Sequence, residues 1–479
     1  MNLAATSPNK TRTHRPVTCK ILLAAAVLAA MGTQCALARP VIPGAVGFGV
    51  DTPAGRGGTV YRVTNLNADG AGSLKACVDG TTARVCIFEV SGTIKLTQDL
   101  HVRNDKLTIA GQTAPSPGIM IRGGGLAIHA SDVLVQHIRV RVGDDKVGPA
   151  FDNRDSLKIE GSDARPVKRV VIDHCSFSWS VDEVASIWGA HDEVSFLNNI
   201  FSEPLNDSFH PDYDGVGLIK HGFGPLLGSS ATGGRVTMVG NLMAHADQRN
   251  PLSRARELVF ANNMVYDRAG RDFDAQSEKN RITTTSVIAN TFVKGPSYSA
   301  PTRPVYIRTN GDYTLYKGSK IYVSMNHADS GDSESQMIAL TGGDVIPGLM
   351  SSTNPVWNSG LKAASATNGS VYNNVLKYAG ARPADRDTVD KRIISEVKAR
   401  SGGIINCVSS DGSTRCAKNG GGWPTLAVHT RALTLPTNPN SVASNGYTNL
   451  ENWLNSMGDT VQGTTSAQSA AAPAMLSVQ

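Results

Sequence analysis

Two arginines flank a proline in the stretch ADQRNPLSRARE, which covers residues 246–257. Arg249 and Arg254 lie five positions apart around Pro251, and the stretch has no helical stripe of apolar residues. A guanidinium group presents a planar fork of donors that fits a carboxylate, so a rigid pair is suited to an acidic ligand. The alternative is a solvated basic turn, and the polar residues beside other apolar runs favour the ligand site.

Acidic and basic residues stand next to several short apolar runs. Asp155 precedes SLKI, Asp182 precedes EVASIW, and Lys220 ends GVGLIK. If these runs belong to stacked coils about 4.8 Å apart, Asp155, Asp182, Lys220 and Arg249 fall along one outer stripe. Outward carboxylates on neighbouring coils favour a cation between them, and Ca²⁺ takes oxygen ligands. The sequence therefore predicts a Ca²⁺ site at Asp155 and Asp182, the alternative being two solvated aspartates.

The alternation of side chains in VDEVASIW indicates which polar residues face outward, because a strand sends successive side chains to opposite faces. Asp182 and Ser186 then face out, and Glu183 points inward unless the strand begins after it. The histidines are scattered without the spacing of a zinc site, and His174 is expected to be a satisfied bend residue. The carboxylates are thus the predicted metal ligands.

The elements that would position these residues are short β-branched runs, many of them with an Asn or His at a bend. Their irregular spacing and the scarcity of tight hairpin signals disfavour a β-sandwich and favour an all-β, single-stranded parallel β-helix with long corner loops. Asparagines at equivalent bends are expected to stack from coil to coil. These are Asn199, Asn241, Asn263 and Asn290.

Two helices are predicted in a C-terminal extension that follows the coils. In ADRDTVDKRIISEVKARSGG one apolar face is formed and Gly402 marks the end. In TNLENWLNSMG, Thr448 and Glu451 have the spacing of a capping box. The predicted apolar residues are Val389, Ile393 and Val397 in the first helix and Leu450, Trp453, Leu454 and Met457 in the second.

The start of the chain and its cysteines predict export. Basic residues precede ILLAAAVLAAM, an apolar run too short to span a bilayer, and a small-residue cleavage site ends at Ala38. Residues 1–38 are therefore predicted to be a signal peptide. Of the seven cysteines, two lie in that segment, and local disulfides are expected in an oxidising compartment. The predicted pairs are Cys77 with Cys86 and Cys407 with Cys416, which leaves Cys175 as a buried thiol.

A net charge of +6 suits a polyanion, either an acidic polysaccharide or a nucleic acid.

Several stretches together resemble the pectate lyases of polysaccharide lyase family 1. RVVIDHCSFSW and RNPLSR carry the resemblance, and the opening PGAVGFGVDTPAGRGGTVYRVTNLNADGAGSLKACV and LTIAGQTAPSPGIMIRG are similar to bacterial members. ARPADRDTVDKRI and NGYTNLENWLNS fit the end of one bacterial branch, so the likeness spans residues 43 to 458. It implies a right-handed parallel β-helix that is secreted, monomeric and calcium-dependent. The implied reaction is cleavage of α-1,4-linked polygalacturonate, with neither nucleic acid nor membrane as partner.

The resemblance also implies residue roles. Arg249 matches the catalytic arginine, Lys220 and Arg254 match substrate-binding residues, and Asp155 and Asp182 match calcium ligands.

The resemblance fails at two further ligand positions. The family commonly has acids where this chain has Asn153 and Ser186, and Asp152 or Glu183 would have to compensate. The exact set of calcium ligands therefore stays open at this point.

The implied chemistry suits these residue types. Removal of the C5 proton of a uronate places charge on its carboxylate, which calcium, Lys220 and Arg254 would neutralise. Loss of the C4 oxygen then gives a 4,5-unsaturated oligogalacturonide. Arg249 as base conflicts with the usual charge of a guanidinium, and the family answer is that nearby positive charge favours the neutral form at alkaline pH.

Two alternatives stay open. A lyase for alginate or methylated pectin is one, although the latter would have an aromatic-lined cleft and no acidic ion site. A non-catalytic β-helical surface adhesin is the other, and it would show more regular repeats.

On the main hypothesis, residues 39–325 form the β-helix catalytic domain, 326–458 add coils, loops and helices, and 459–479 form a disordered tail.

Overall fold

The computed structural model shows stacked coils of β-strands with helices added near the C-terminus. The predicted signal peptide, residues 1–38, lies outside the described part of the chain. The structure describes residues 39–228, 232–278, 280–298, 303–343, 346–356 and 369–464.

Three parallel sheets form the walls of the coil, and from β2 onwards each turn of the chain visits sheets 1, 2 and 3 in that order. Sheet 1 consists of β1 (Thr59–Val63), β2 (Arg84–Phe88), β5 (Leu107–Ala110), β8 (Val133–Gln136), β11 (Val167–Asp173), β14 (His191–Leu197), β17 (Arg235–Val239), β20 (Glu257–Ala261), β23 (Thr284–Ile288) and β26 (Lys320–Ser324). Sheet 2 consists of β3 (Gly92–Lys95), β6 (Ile119–Arg122), β9 (Ile138–Arg141), β12 (Ser176–Ser178), β15 (Ile200–Ser202), β18 (Leu242–Ala244), β21 (Met264–Tyr266), β24 (Thr291–Val293) and β27 (His327–Ala328). Sheet 3 consists of β4 (Leu100–Val102), β7 (Leu126–Ile128), β10 (Leu157–Glu160), β13 (Ala185–Trp188), β16 (Leu226–Leu227), β19 (Leu252–Ser253), β22 (Phe273–Ala275), β25 (Val305–Ile307) and β28 (Ile338–Leu340).

In sheet 1, the pairing between strands stacks equivalent positions of successive coils into columns, and these columns form the core. Every pairing between neighbouring strands is parallel, so a residue meets its equivalent in the next coil. Inward-facing positions become continuous apolar stacks that exclude water, which is the main stabilisation of such a coil. One buried column consists of Ile109, Val135, Ile172, Phe196, Met238, Phe260 and Val287. The predicted parallel β-helix is confirmed.

A ladder of buried asparagines marks the bend between sheets 1 and 2. The side-chain amide of Asn263 donates to Oδ1 of Asn290 at 3.0 Å and to the Met238 carbonyl at 3.0 Å. Asn199 and Asn241 repeat this arrangement in earlier coils. The stacking predicted for the four asparagines is confirmed, and the structure extends it: Asn290 donates to Asn326, and Asn326 donates to the Val287 carbonyl.

Five helices lie in the described residues: α1 (Leu74–Val78), α2 (Glu334–Met337), α3 (Ser370–Tyr378), α4 (Thr388–Ala399) and α5 (Asn449–Gln462). α4 buries the predicted face of Val389, Ile393 and Val397. α5 begins with the predicted capping box of Thr448 and Glu451. Apolar residues of α3 and α4 belong to the same buried cluster as residues of sheets 1 and 2, so the C-terminal extension covers the outside of the coils.

The coils continue past residue 325 to β28, in the segment where the sequence predicts further coils. Two boundaries differ from the expectations. α4 ends at Ala399, earlier than the predicted end at Gly402. Arg400, two residues before Gly402, has a left-handed backbone conformation, φ +55°. α5 runs four residues into the predicted tail because Val461 and Gln462 are buried, and Gly463 caps it. Residues 465–479 of that tail lie outside the described part of the chain.

Both predicted disulfides, Cys77–Cys86 and Cys407–Cys416, are present, and Cys175 is a free, buried thiol. Burial raises the pKa of Cys175, which makes it unreactive. Within the described ranges, no helix has the length and apolarity needed to cross a membrane.

Candidate active site

The candidate site lies at the corner between sheets 2 and 3. Asp155 immediately precedes the stretch that enters β10, and Asp182 lies in the corner between β12 and β13. Arg249 lies in the corner between β18 and β19. Because the coils stack in register, these corners lie near one another. The corner that carries Asp182, residues 179–184, is short. Asp155 lies near the end of a longer corner, residues 142–156, and Lys220 lies in the longest of the three, residues 203–225.

An acidic trio forms at this corner. One carboxylate oxygen from each of Asp155, Asp182 and Glu183 lies within 4.8 Å of the others. Strand β13 begins at Ala185, after Glu183, so Glu183 is free of the inward alternation and joins the trio. Ser186 donates to Oδ2 of Asp155, so it supports this carboxylate in place of an acid.

The trio has the properties of a site for a hard divalent cation. Oδ1 of Asp155 is buried and accepts no hydrogen bond from any described residue. Burial and the neighbouring Asp182 charge raise the pKa of Asp155 well above its ordinary value. A buried, unpaired carboxylate oxygen is costly unless a cation or proton satisfies it. Three carboxylates with an unsatisfied oxygen therefore fit Ca²⁺.

Arg249 is held against this trio. Its backbone is in the left-handed region, φ +62°, and its Nη1 atom contacts Oε1 of Glu183. The guanidinium lies over the Phe223 ring at 4.2 Å from the ring centre. Burial lowers the pKa of Arg249 to about 10; the Asp182 charge opposes this shift and Arg254 adds to it. The structure thus brings Arg249, Asp155 and Asp182 together, as the outer stripe predicts.

Arg254 and Lys220 lie in different surroundings. Arg254 donates to Gln276 at 3.1 Å and to Glu278 at 3.2 Å, and it stacks on Tyr313 at 3.5 Å. Lys220 is exposed, and within the described ranges it makes no hydrogen bond or ion pair. It lines a cleft of about 1140 Å³, and of the five predicted site residues it alone does so. Lys220 is therefore available to a ligand, whereas Arg254 is already paired.

Two other ligand candidates from the sequence, Asp152 and Asn153, have different surroundings. Asp152 is exposed in a short 3₁₀ turn, and it is not part of the acidic cluster. Asn153 accepts from Lys158 through both its backbone and side-chain oxygens. Of the two acids that could compensate, Asp152 and Glu183, Glu183 is the one that lies with Asp155 and Asp182.

Two histidines complete the corner, and the sequence analysis missed their role. His210 and His221 stack with ring centres 3.9 Å apart and planes 5° apart. Their Nε2 atoms lie 3.6 and 3.0 Å from Oδ1 of Asp182. Their contacts outweigh the effect of burial and lower the pKa of Asp182. His174 is a buried bend residue whose Nδ1 atom is bonded to Asp173 at 2.7 Å, but its Nε2 atom has no hydrogen-bond partner among the described residues, so the expectation of a satisfied bend residue is met at one ring nitrogen only.

The class of protein is defined by a parallel β-helix that carries an acidic trio beside a buried guanidinium. The curated relatives make this class specific. The chain is 31% identical over 440 residues to a probable pectate lyase C of Neosartorya fischeri, covering 89% of this chain and 95% of the relative. It is 32% identical over 432 residues to a probable pectate lyase C of Aspergillus terreus, covering 87% and 93%. The chain belongs to the pectate lyase family.

Other comparisons add likenesses of fold. No family model matches the sequence. Pectate lyase II from Xanthomonas campestris superposes with a TM-score of 0.45 at 14% identity, covering 72% of this chain and 100% of that one. A pectate lyase from Bacillus sp. N165, in complex with trigalacturonate, gives 0.43 at 15% identity, covering 69% and 95%. The family assignment depends on the curated relatives alone.

Proposed function

We propose that this protein is a secreted, calcium-assisted lyase that cleaves α-1,4-linked polygalacturonate by β-elimination. The single observation that carries the proposal is the buried Arg249 beside the acidic trio, in a chain of the pectate lyase family. The two disulfides accord with export. In reaction terms the protein is a carbon–oxygen lyase that acts on a polysaccharide.

Asp155, Asp182 and Glu183 would hold the calcium ion. When bound next to a uronate carboxylate, calcium stabilises the charge that develops there after loss of the C5 proton. Asp155 offers a buried oxygen with no other partner in the described chain, so it is the anchoring ligand. Glu183 contacts Arg249 through Oε1, so a cation would compete with the guanidinium for the charge of this carboxylate, and cation binding is expected to weaken the Arg249 contact.

Arg249 takes the C5 proton in this mechanism. The electron pair of the C5–H bond forms the C4–C5 double bond, the C4–O bond breaks, and the leaving oxygen takes a proton from water. Arg249 then returns the C5 proton to solvent. Burial and the nearby Arg254 charge favour the neutral guanidinium that this step requires. Lys220, which is exposed, would bind a substrate carboxylate, and Arg254 would do so after exchanging its Glu278 contact.

The test is the ultraviolet absorbance of the unsaturated product formed from polygalacturonate with Ca²⁺. Activity should disappear with a chelator and return with added Ca²⁺, and it should be abolished in Arg249→Ala. Arg256→Ala is the matched control, because Arg256 is half-exposed and pairs with Glu257 away from the trio. Activity that survives chelation or Arg249→Ala would refute the mechanism. The same preparation assayed on alginate and highly methylated pectin decides the substrate.

A further inference from the structure

Two groups of potential metal ligands share Asp182. The first is the acidic trio, whose donors are all oxygens. The second combines Asp182 with His210 and His221, again with one ligand atom from each within 4.8 Å of the others. The proposed calcium function uses only the first group, so the imidazoles are unexplained by it.

The hydrogen bonding of His210 prepares it to be a ligand. Its Nδ1 atom donates to the Pro211 carbonyl at 2.7 Å, which assigns the proton of the neutral ring to Nδ1. The lone pair of Nε2 then faces Oδ1 of Asp182 at 3.6 Å. A backbone carbonyl that fixes the tautomer in this way is the usual support of a metal-binding histidine.

His221 is a buried polar side chain without a hydrogen bond. Its exposed fraction is 3%, and neither ring nitrogen makes a hydrogen bond with any described residue. Nε2 nonetheless lies 3.0 Å from Oδ1 of Asp182 and 3.6 Å from Oε1 of Glu183, outside hydrogen-bond geometry. A buried imidazole costs free energy unless something satisfies it, and this one is aimed at two carboxylates.

The two imidazoles are held rigidly. They stack on each other, and the centre of the Phe223 ring lies 3.9 Å from that of the His221 ring. Their loop closes on itself through an antiparallel bridge between Pro211 and Leu218 and a hydrogen bond from Ile219 to the His210 carbonyl. A preformed donor set loses little entropy when a ligand binds.

We propose that Asp182, His210 and His221 form a site for a first-row transition-metal dication such as Zn²⁺ or Co²⁺. Two imidazole nitrogens and a carboxylate suit such ions, whereas Ca²⁺ takes oxygen ligands. This site differs from the proposed calcium site at the acidic trio. The two metal ions would compete because both sites use Asp182. This proposal does not depend on the elimination reaction, because its test measures binding alone.

The experiment is a Co²⁺ titration followed by visible absorption, with Ca²⁺ affinity measured by calorimetry. His210→Gln with His221→Gln should lower Co²⁺ affinity at least about tenfold and leave Ca²⁺ affinity unchanged. Asp155→Asn should lower Ca²⁺ affinity and leave Co²⁺ affinity unchanged. Asp182→Asn should lower the affinity for both ions. The matched control is His101→Gln, because His101 and His129 form another histidine pair, bonded to each other at 3.0 Å.

Three outcomes would overturn the proposal. They are no Co²⁺ binding to the wild type, unchanged Co²⁺ affinity in the double variant, and loss of binding in His101→Gln. Pulsed electron paramagnetic resonance of Cu²⁺ bound to the His101→Gln protein needs no change at the site itself, so it is independent of how the double variant folds. It should show two coupled imidazole nitrogens, and a spectrum without them would also overturn the proposal.

Discussion

His245 connects the coils to the C-terminal extension through a charge that pH can remove. It follows β18, is fully buried, and bonds to Asp267 at 2.7 Å. On its other side, Nε2 lies 3.3 Å from a carboxylate oxygen of Glu396 in α4. Burial alone would lower the pKa of His245, but the hydrogen bond to Asp267 and the nearby Glu396 carboxylate outweigh it and raise the pKa from 6.5 to about 9.

The sign of the pH effect follows from this raised pKa. The folded protein holds the proton more tightly than the unfolded chain, so the stabilisation is complete below about pH 6.5 and is lost as pH rises through 9. A shift from 6.5 to about 9 corresponds to about 3 kcal/mol of unfolding free energy. In His245→Gln this pH-dependent contribution is absent.

The assay is urea unfolding of the wild type and His245→Gln at pH 6, 8 and 10. The difference in unfolding free energy between them should shrink by about 3 kcal/mol from the lowest pH to the highest. Comparing the two proteins cancels other groups that titrate in this range. His429→Gln, at an exposed position, should show a difference that does not vary with pH. A constant difference for His245→Gln as well would refute the charged, stabilising histidine.

Three further predictions concern the site and the ladder. Neutral Arg249 becomes more abundant as pH rises towards about 10, so kcat/KM should rise over that range. In Arg249→Lys the rising part of the pH–rate profile should lie about two pH units lower, because lysine has the lower ordinary pKa. An unchanged position of this rise would exclude Arg249 as the base. Asp155→Asn should weaken Ca²⁺ binding at least about tenfold in calorimetry, whereas Asp152→Asn, outside the trio, should leave it unchanged. Asn263→Ala leaves the buried Asn241 amide without its side-chain acceptor and should cost about 1–3 kcal/mol in urea unfolding; an unchanged midpoint would contradict a stabilising ladder.

The regular part of the fold could be predicted because its physical requirements repeat along the sequence. A buried asparagine needs a partner in the next coil, so the bends of Asn199 to Asn290 reveal the stacking. The apolar faces of α4 and α5 reveal the two helices in the same way. Strands such as β16 and β19 have only two residues, which is too short for any period to appear. Loop lengths and the exact ends of the coils therefore could not be predicted.

Some residues of the site could likewise be predicted from a repeated sequence pattern, whereas others depended on local structure. Asp155 and Asp182 could be placed because each stands just before a strand whose alternation is readable. Glu183 depended on where β13 starts, and a shift of two residues moves it from the core to the trio. The histidine pair depended on a loop that bridges onto itself, a contact that no periodic pattern encodes. Where the family resemblance implies two more acids, the chain has Asn153 and Ser186, and Glu183 is the one further acid that joins Asp155 and Asp182. Because three carboxylates carry less negative charge than four, Ca²⁺ binding at the trio should be weaker than at a four-acid site. The neighbouring imidazoles offer nitrogen ligands, which favour softer dications over Ca²⁺.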